Sequence, residues 1–308
     1  MNAPSFRLFR QRSAKQIRRG LFVFFSLLVL TVFAVAFIMP IVLTITNSLM
    51  TQVEITANYG KIFTNATSSS KTYIAEKVTL KFIPDFVSFD QYVTVLFKSP
   101  AYLLKFWNAV ILVLPIVVFQ ILTALGAAYC FARFETPLRS LCFFVYVILM
   151  LMPYQVTLVP NYLVADWLHL LDTRWAIILP GIFSPFAVFI LTRFMRRIPS
   201  AMIEAAKLDG ANEWQIFSLV CVPLCDSTIF SVAILVFIDY WNMVEQPLIL
   251  LSNAELHPLS VFLSKINTGE TGLAFAVAVI YMIFPLLFFL YSEDYLIEGI
   301  AYAGGIKG

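Results

Sequence analysis

Residues 198–224 read IPSAMIEAAKLDGANEWQIFSLVCVPL. Glu204, Lys207, Asp209 and Glu213 fall close together there, in a chain that is 60% hydrophobic and only 13% charged. Soluble domains carry roughly 25% charged residues, so the composition is that of a membrane protein. Pro199 suits a first helical turn, where its missing N–H has no partner to lose. Residues 200–209 follow as a short helix, and Gly210 stops it, because glycine accepts the left-handed conformation at a helix C-terminus. Asn212 can cap a second helix, with Gln215 three residues on completing a capping box. That helix runs through Trp214, Ile216, Phe217 and Leu219 as far as Pro223. The stretch is therefore two short helices at a sharp bend. A helix lying on lipid headgroups would favour lysines over acids on its polar face, so the acids point instead to a protein partner. Ala205 and Ala206 keep one surface low, and Glu204 and Asp209 offer carboxylates to arginines on that partner.

On either side the chain is built for lipid. A span needs about 20 mostly apolar residues. Uncharged runs occupy 20–53, 106–132, 140–165, 175–192 and 271–292, and a sixth apolar segment, 227–251, is interrupted by Asp239 and Glu245. The expected fold is all-α and integral to the membrane, with six transmembrane helices at about 21–45, 105–131, 140–158, 174–194, 227–251 and 273–291. The first apolar run is too long for a removable signal peptide, and no A-x-A cleavage site follows it. Pro180, Gly181 and Pro185 should break the fourth span. Six spans place both termini on one side. That side holds 13 basic residues against eight on the other, including Arg7, Arg10, Arg12, Arg18, Arg19, Arg193, Arg196, Arg197 and Lys307. Basic excess marks the cytoplasmic face, so both termini and the stretch 198–224 are expected inside. The connection 46–104 is then external. Within it NATSSSKTY (65–73) reads as flexible and EKVTLKF (76–82) as a short strand. A contact for an external partner and a tolerated insertion are both compatible with it. The sequon Asn65-Ala66-Thr67 would be glycosylated only in a eukaryotic secretory setting.

Enzymatic motifs are missing. None of the eleven glycines opens a G-x-x-x-x-G-K-[ST] loop, and there is no H-E-x-x-H or G-x-S-x-G. His169 and His257 sit in expected external connections with no chemical role assigned. Cys130, Cys142, Cys221 and Cys225 read as small core residues, and no metal site is expected. Any energised work must draw on a partner.

Further motifs carry a resemblance. EAAKLDGANEWQIFSLVCVPL is similar to the E-A-A–x3–G–x9–I-x-L-P loop of ABC importer permeases, matching at Glu204, Ala205, Ala206 and Gly210, with Val220 and Val222 before Pro223. FWNAVILV (106–113), LGAAYCFARFETPLR (125–139), LMPYQVTLVPNYLVADWLHLLDT (151–173), FIDYWNMVEQPLILL (237–251) and GIAYAGGIKG (299–308) resemble motifs of the carbohydrate-uptake branch, whose type is the smaller maltose-permease subunit. CDSTIF after Pro223 departs from the family's usual second proline, and the 50–80 region has no family pattern. The resemblance implies a type I ABC importer permease. Its parts would be a cytoplasmic basic N-terminus (1–20), a first span (21–45), an extracytoplasmic loop (46–104), a transmembrane domain (105–291) containing the coupling loop 198–224, and a cytoplasmic tail (292–308). It also implies a second, homologous permease chain forming a heterodimer, a cytoplasmic ATPase dimer and an extracytoplasmic solute-binding protein. No cofactor is expected in this chain, because ATP and Mg would be bound by the ATPase; no nucleic-acid partner is expected. Glu204 would pair with an ATPase arginine, with Ala205, Ala206, Asp209 and the Gly210 bend around it, in a bacterial or archaeal cell membrane.

Polar residues inside spans are costly and usually face a cavity or a partner helix. Asp239, Asn242, Glu245 and Gln246 recur on one helical face, with Tyr240 and Trp241 adjacent. Such a face suits a sugar, whose hydroxyls hydrogen-bond and whose C–H faces pack on rings. Interhelical hydrogen bonding with an interfacial aromatic belt would use the same residues. Asn108, Tyr154 and Gln155 are further candidates for the path. The function expected is import of an oligosaccharide or glycoside. The alternatives are a non-sugar solute on the same fold, which would call for a strongly charged path, and a stand-alone channel or secondary carrier.

Overall fold

The computed structural model describes residues 5–67, 80–134, 136–265 and 271–304. Among the described residues the regular structure is helical throughout, as long apolar runs in lipid require: a helix satisfies its own backbone hydrogen bonds. Two compact units partition the chain, Met1–Gln91 with Thr268–Val279, and Tyr92–Asn267 with Ile280–Gly308.

The first unit begins with α1 (Ser5–Ser48) and α2 (Gln52–Thr67). Leu21, Phe22, Phe25, Phe33 and Phe37 of α1 are all exposed, and none of its most apolar window is buried. Met50, Ile55 and Tyr59 form a small core with Phe275. Asn47 Nδ2 donates to Tyr59 Oη at 3.1 Å, and Lys81 bridges Glu54 (2.9 Å) and Asp85. Residues 68–79, and with them most of NATSSSKTY and of the expected strand, lie outside the described residues. Residues 80–82, the described end of that strand, carry no regular structure, and the sequon falls at the end of α2 with its side chains undescribed. The side chains of residues 1–19, and Lys307, are likewise outside.

The second unit is built around α3 (Pro100–Arg133). Next come α4 (Pro137–Met150), α5 (Tyr154–Trp167), α6 (Trp175–Gly181), α7 (Pro185–Met195) and α8 (Ser200–Leu208). A helical stretch α9 (Glu213–Leu224), α10 (Asp226–Trp241), α11 (Glu245–Leu250), α12 (Leu259–Ser264) and α13 (Thr271–Gly304) complete the chain. Of α13, residues 280 onward belong to this unit. α3 packs on α7 and α10. Ala124 and Ala128 of α3 and Ala187 of α7 are fully buried, and small residues let helix backbones approach closely.

Among the described residues four helices are long and apolar enough to cross a membrane: Gly20–Ser48, Pro100–Arg133, Trp175–Met195 and Gly272–Tyr295. They correspond to the expected first, second, fourth and sixth spans. The third and fifth differ from expectation. The run 140–158 is not one helix, because α4 stops at Met150 and α5 leaves at 106°. Pro153 explains the break: it has no N–H to give the preceding turn and pushes Met152 out of the helical region. The run 227–251 also divides. α10 ends at Trp241, about 24 Å long at 1.5 Å per residue, and Asn242–Val244 separate it from α11. At its other end α10 meets α9 at 74°. Each bent pair must count as one span to reach six. In the fourth span the helix is interrupted at 182–184, yet Trp175–Met195 runs through as one 21-residue element. Thr123 Oγ1 donates to the Ile182 carbonyl at 2.9 Å, supplying a partner at the interruption.

Candidate functional site: a bend element and a polar cavity

The bend element follows its sequence closely. Pro199 occupies the N-cap of α8, and Asp209 the C-cap. Gly210 has φ +81°, a conformation that glycine adopts without the strain a side chain would bring. Asn212 and Gln215 make both bonds of a capping box, Gln215 N to Asn212 Oδ1 and Asn212 N to Gln215 Oε1, each 2.9 Å. Residues 216–221 then take π-helical turns before Pro223, a widening common at functional positions. Ile203 and Ile216 are buried in a core shared with Ala128 of α3, Leu191 and Met195 of α7, and Val232 of α10. The opposite surface is open. Glu204, Ala205, Asp209 and Gly210 are exposed and Ala206 is half-buried. Neither Glu204 nor Asp209 has an ion pair among the described residues.

Glu213 ties this element down, a role its sequence position did not announce. Its Oε2 accepts from Tyr129 Oη of α3 at 2.6 Å, and its Oε1 meets Lys207 Nζ of α8 at 2.9 Å. The Tyr129 hydrogen bond, then the Lys207 cation, holds its carboxyl below the usual carboxylate range. Both limbs of the bend are thus fastened to the second span. Arg133 Nη2 lies 4.0 Å from Cys221 Sγ, and Cys221 and Cys225 are buried in the same core; Cys130 is half-buried and Cys142 exposed, all four as free thiols.

Elsewhere in this unit a cavity of about 450 Å³ opens between α5, α6, the 182–184 interruption, the end of α10 and α11. Tyr154, Thr157, Asn161, Ser184, Asp239, Tyr240 and Gln246 supply its polar lining; Met150, Ile177, Pro180, Phe183, Phe186 and Leu250 supply apolar wall. Gly181 belongs to that wall, and a Cβ there would sit 3.1 Å from the Ile116 side chain, so glycine lets α6 lie against α3. Asp239 has no ion pair and no side-chain hydrogen bond among the described residues. Gln246 Oε1 is buried without a partner among the described residues. Asp239, which is exposed, is open to accept hydrogen bonds from a solute.

The expected path residues divide. Asp239, Tyr240 and Tyr154 meet in the cavity. Gln155 and Glu245 pair beside it, Nε2 to Oε2 at 3.4 Å. Asn242 turns back to its own helix, Nδ2 to the Ile238 carbonyl at 2.8 Å, and accepts from Tyr281 Oη. Trp241 is corrected: it is 1% exposed, inside a ring cluster with Phe106, Phe237, Tyr281 and Phe284 at 5.2–5.8 Å between centroids. Asn108 is also a packing residue, 4% exposed. It donates to the Glu255 carbonyl at 2.6 Å and accepts from Arg174 at 2.8 Å. Asp172 and His169 hold positive φ in the neighbouring connection, where Asp172 Oδ1 accepts from Ser252 and Asn253 N–H groups. His257 contacts the Leu251 carbonyl at 2.8 Å. Thr157, Asn161 and Ser184 went unpredicted. Thr157 and Asn161 follow Tyr154 at the i+3 and i+7 positions of one helix face, a pattern visible once the helix is started after Pro153.

Residues 94–298 match the family described as Binding-protein-dependent transport system inner membrane component. The chain belongs to this family. It is a transport permease of the membrane, and a transport subunit rather than an enzyme. The permease is 27% identical over 234 residues to the arabinooligosaccharides transport system permease protein AraQ of Halalkalibacterium halodurans, covering 75% of this chain and 84% of that protein. It is 34% identical over 209 residues to the osmoprotective compounds uptake permease protein GgtD of Synechocystis sp., covering 66% and 70%. Its fold matches a chain from the crystal structure of a bacterial ABC transporter involved in the import of the acidic polysaccharide alginate. That match has TM-score 0.72 and 19% identity over 96% of this chain and 99% of the other.

Proposed function

We propose that this permease forms half of the path of an ATP-driven carbohydrate importer. It would work with a second, homologous permease, a cytoplasmic ATPase dimer that binds the ATP and Mg, and an extracytoplasmic solute-binding protein. One observation carries the reading. Glu204 and Asp209 stand exposed, without an ion pair among the described residues, on a bend whose reverse side, through Ile203 and Ile216, is buried in the core of the spans. An exposed acidic knuckle rooted in the membrane helices is a joint: a partner gripping it moves the helices as a rigid body. Glu204 takes the arginine of the ATPase, Ala205 and Ala206 allow close approach, and Asp209 and Gly210 form the turn. Both termini and the bend then lie in the cytoplasm of a bacterial or archaeal cell, with 46–104 outside.

The carbohydrate assignment is supported by the cavity's chemistry and by the names of relatives such as AraQ. Its polar lining is mostly neutral hydroxyl and amide, with one carboxylate and flanking rings, which suits a polyol better than an anion. The test is uptake in vesicles containing both permeases, supplied with sugar-loaded binding protein. Uptake should require the ATPase and ATP inside. Uptake that persists without the ATPase would instead identify a channel or secondary carrier.

A further inference from the structure

A second cavity, of about 560 Å³, lies at the C-terminal end of α7. Arg193, Arg196 and Arg197 line it, together with Phe189, Ile190 and Phe194 of the same helical segment. Arginines at a span end are ordinary anchors, and their charge is favourable at a helix C-terminus. Thr228 is not explained that way. It comes from the first turn of α10, lines the same cavity, is 3% exposed, and its Oγ1 has no hydrogen-bond partner among the described residues. A buried hydroxyl without a partner destabilises the fold unless something pairs with it. The neighbouring acid Asp226 accepts from Ser227 N at 2.6 Å through Oδ1.

The guanidinium groups are also positioned. Arg196 stacks over Phe143 at 4.9 Å and donates to the Phe131 carbonyl at 3.1 Å, and Arg193 stacks over Phe189 at 5.4 Å. Phe189 in turn lies against Phe143, 6.1 Å between centroids. The cavity therefore combines a fixed positive rim, an unsatisfied hydroxyl and an aromatic wall continuous with a membrane span. We infer that it is a site for an anionic phospholipid, whose phosphate is held by Arg193, Arg196 and Arg197 with Thr228 donating its O–H, and whose acyl chains run along Phe189 and Ile190. Basic pockets between membrane helices take acidic headgroups in this way. Free phosphate shares the headgroup chemistry, but it would leave the apolar wall and much of the volume unused. The inference is independent of which solute is carried.

Native mass spectrometry of the assembled importer, stripped of lipid and titrated with phosphatidylglycerol or phosphatidylcholine, tests it. The wild type should bind phosphatidylglycerol preferentially. Thr228→Val, which keeps the shape but loses the hydroxyl, should weaken that binding by about tenfold. Thr228→Ser should restore it, and phosphatidylcholine should be indifferent to both. Arg193→Gln should also weaken phosphatidylglycerol and provides a second probe if Thr228→Val fails to assemble. Equal phosphatidylglycerol binding by the wild type, Thr228→Val and Arg193→Gln would overturn the site. Displacement of the lipid by inorganic phosphate alone, without preference between the two lipids, would overturn the lipid assignment.

Discussion

At the bend element, the Glu213 carboxylate is spoken for; in the cavity, the Asp239 carboxylate is not. Glu213 is held by Tyr129 and Lys207 and fastens α8 and α9 to the second span. Asp239, on α10 of the same unit, has neither an ion pair nor a side-chain hydrogen bond among the described residues. The contrast is instructive because uncompensated charge inside a membrane protein is expensive. On the proposed reading a joint must be rigid to transmit force, which fits the two partners of Glu213 and the outward placement of Glu204 and Asp209. A transport path must exchange partners, which fits the open carboxylate of Asp239.

The contrast is broken most severely at Glu204. Glu204→Lys should lower ATP-dependent uptake by about a hundredfold, since it places a cation where the proposed ATPase arginine must dock. Co-purification of the ATPase should fall in parallel, while yield of the permease itself stays unchanged because the side chain is exposed. Retained ATPase association and uptake would remove Glu204 from the joint.

Asp239 comes next. Asp239→Ala should raise the KM for uptake by about tenfold, the loss of a hydrogen bond to a charged acceptor. Asp239→Asn should recover part of it, because an amide oxygen still accepts. Unchanged kinetics in both variants, for every solute carried by the wild type, would make the open carboxylate a packing feature.

Much of this division was legible in the sequence, and the failures have physical causes. Apolar length located the spans, because a bilayer sets that length directly. It could not see the backbone path, so 140–158 was read across the break at Pro153 and the Thr157 and Asn161 lining was lost with it. Asp239 and Tyr240 were found because polar groups in an apolar run stand out. Trp241 was added by adjacency, and helical geometry defeats that: two residues on from Asp239 is about 200° around the helix, toward the ring cluster rather than the cavity. Glu213 was seen only as one of four charges, because its partner Tyr129 lies far away in sequence. By contrast, Gly210 and the Asn212–Gln215 box were legible in full, since capping is local chemistry.

Gly210 sharpens the joint without touching its charges. At φ +81° a β-branched side chain is strained, so Gly210→Val should cost about 1–2 kcal/mol locally. No heavy atom lies within 4 Å of an added Cβ, so the effect is conformational and not a clash. Stimulation of ATP hydrolysis by the loaded binding protein should drop several-fold while the ATPase remains bound. Gly210→Asn should be milder, because asparagine tolerates this region better.

The smallest effect should come from Glu213, and pH reveals it. Its carboxyl titrates below the ordinary value of 4.5 because Tyr129 and Lys207 favour the charged form. A depressed carboxylate contributes stability that is complete above the ordinary value and is lost as pH falls through the lower, folded one. Hydrogen exchange over 199–215 should therefore stay slow through neutral pH and lose protection, after correction for intrinsic exchange, only below about 4.5. Glu213→Gln should flatten that dependence while keeping an acceptor for Tyr129. Tyr129→Phe should weaken protection by about 0.5–1.5 kcal/mol at neutral pH, the net worth of one hydrogen bond. Because Ile203 and Ile216 remain buried in either variant, the bend should loosen rather than detach. Detachment in Tyr129→Phe would mean that the polar tie, and not the apolar root, holds the joint to the spans.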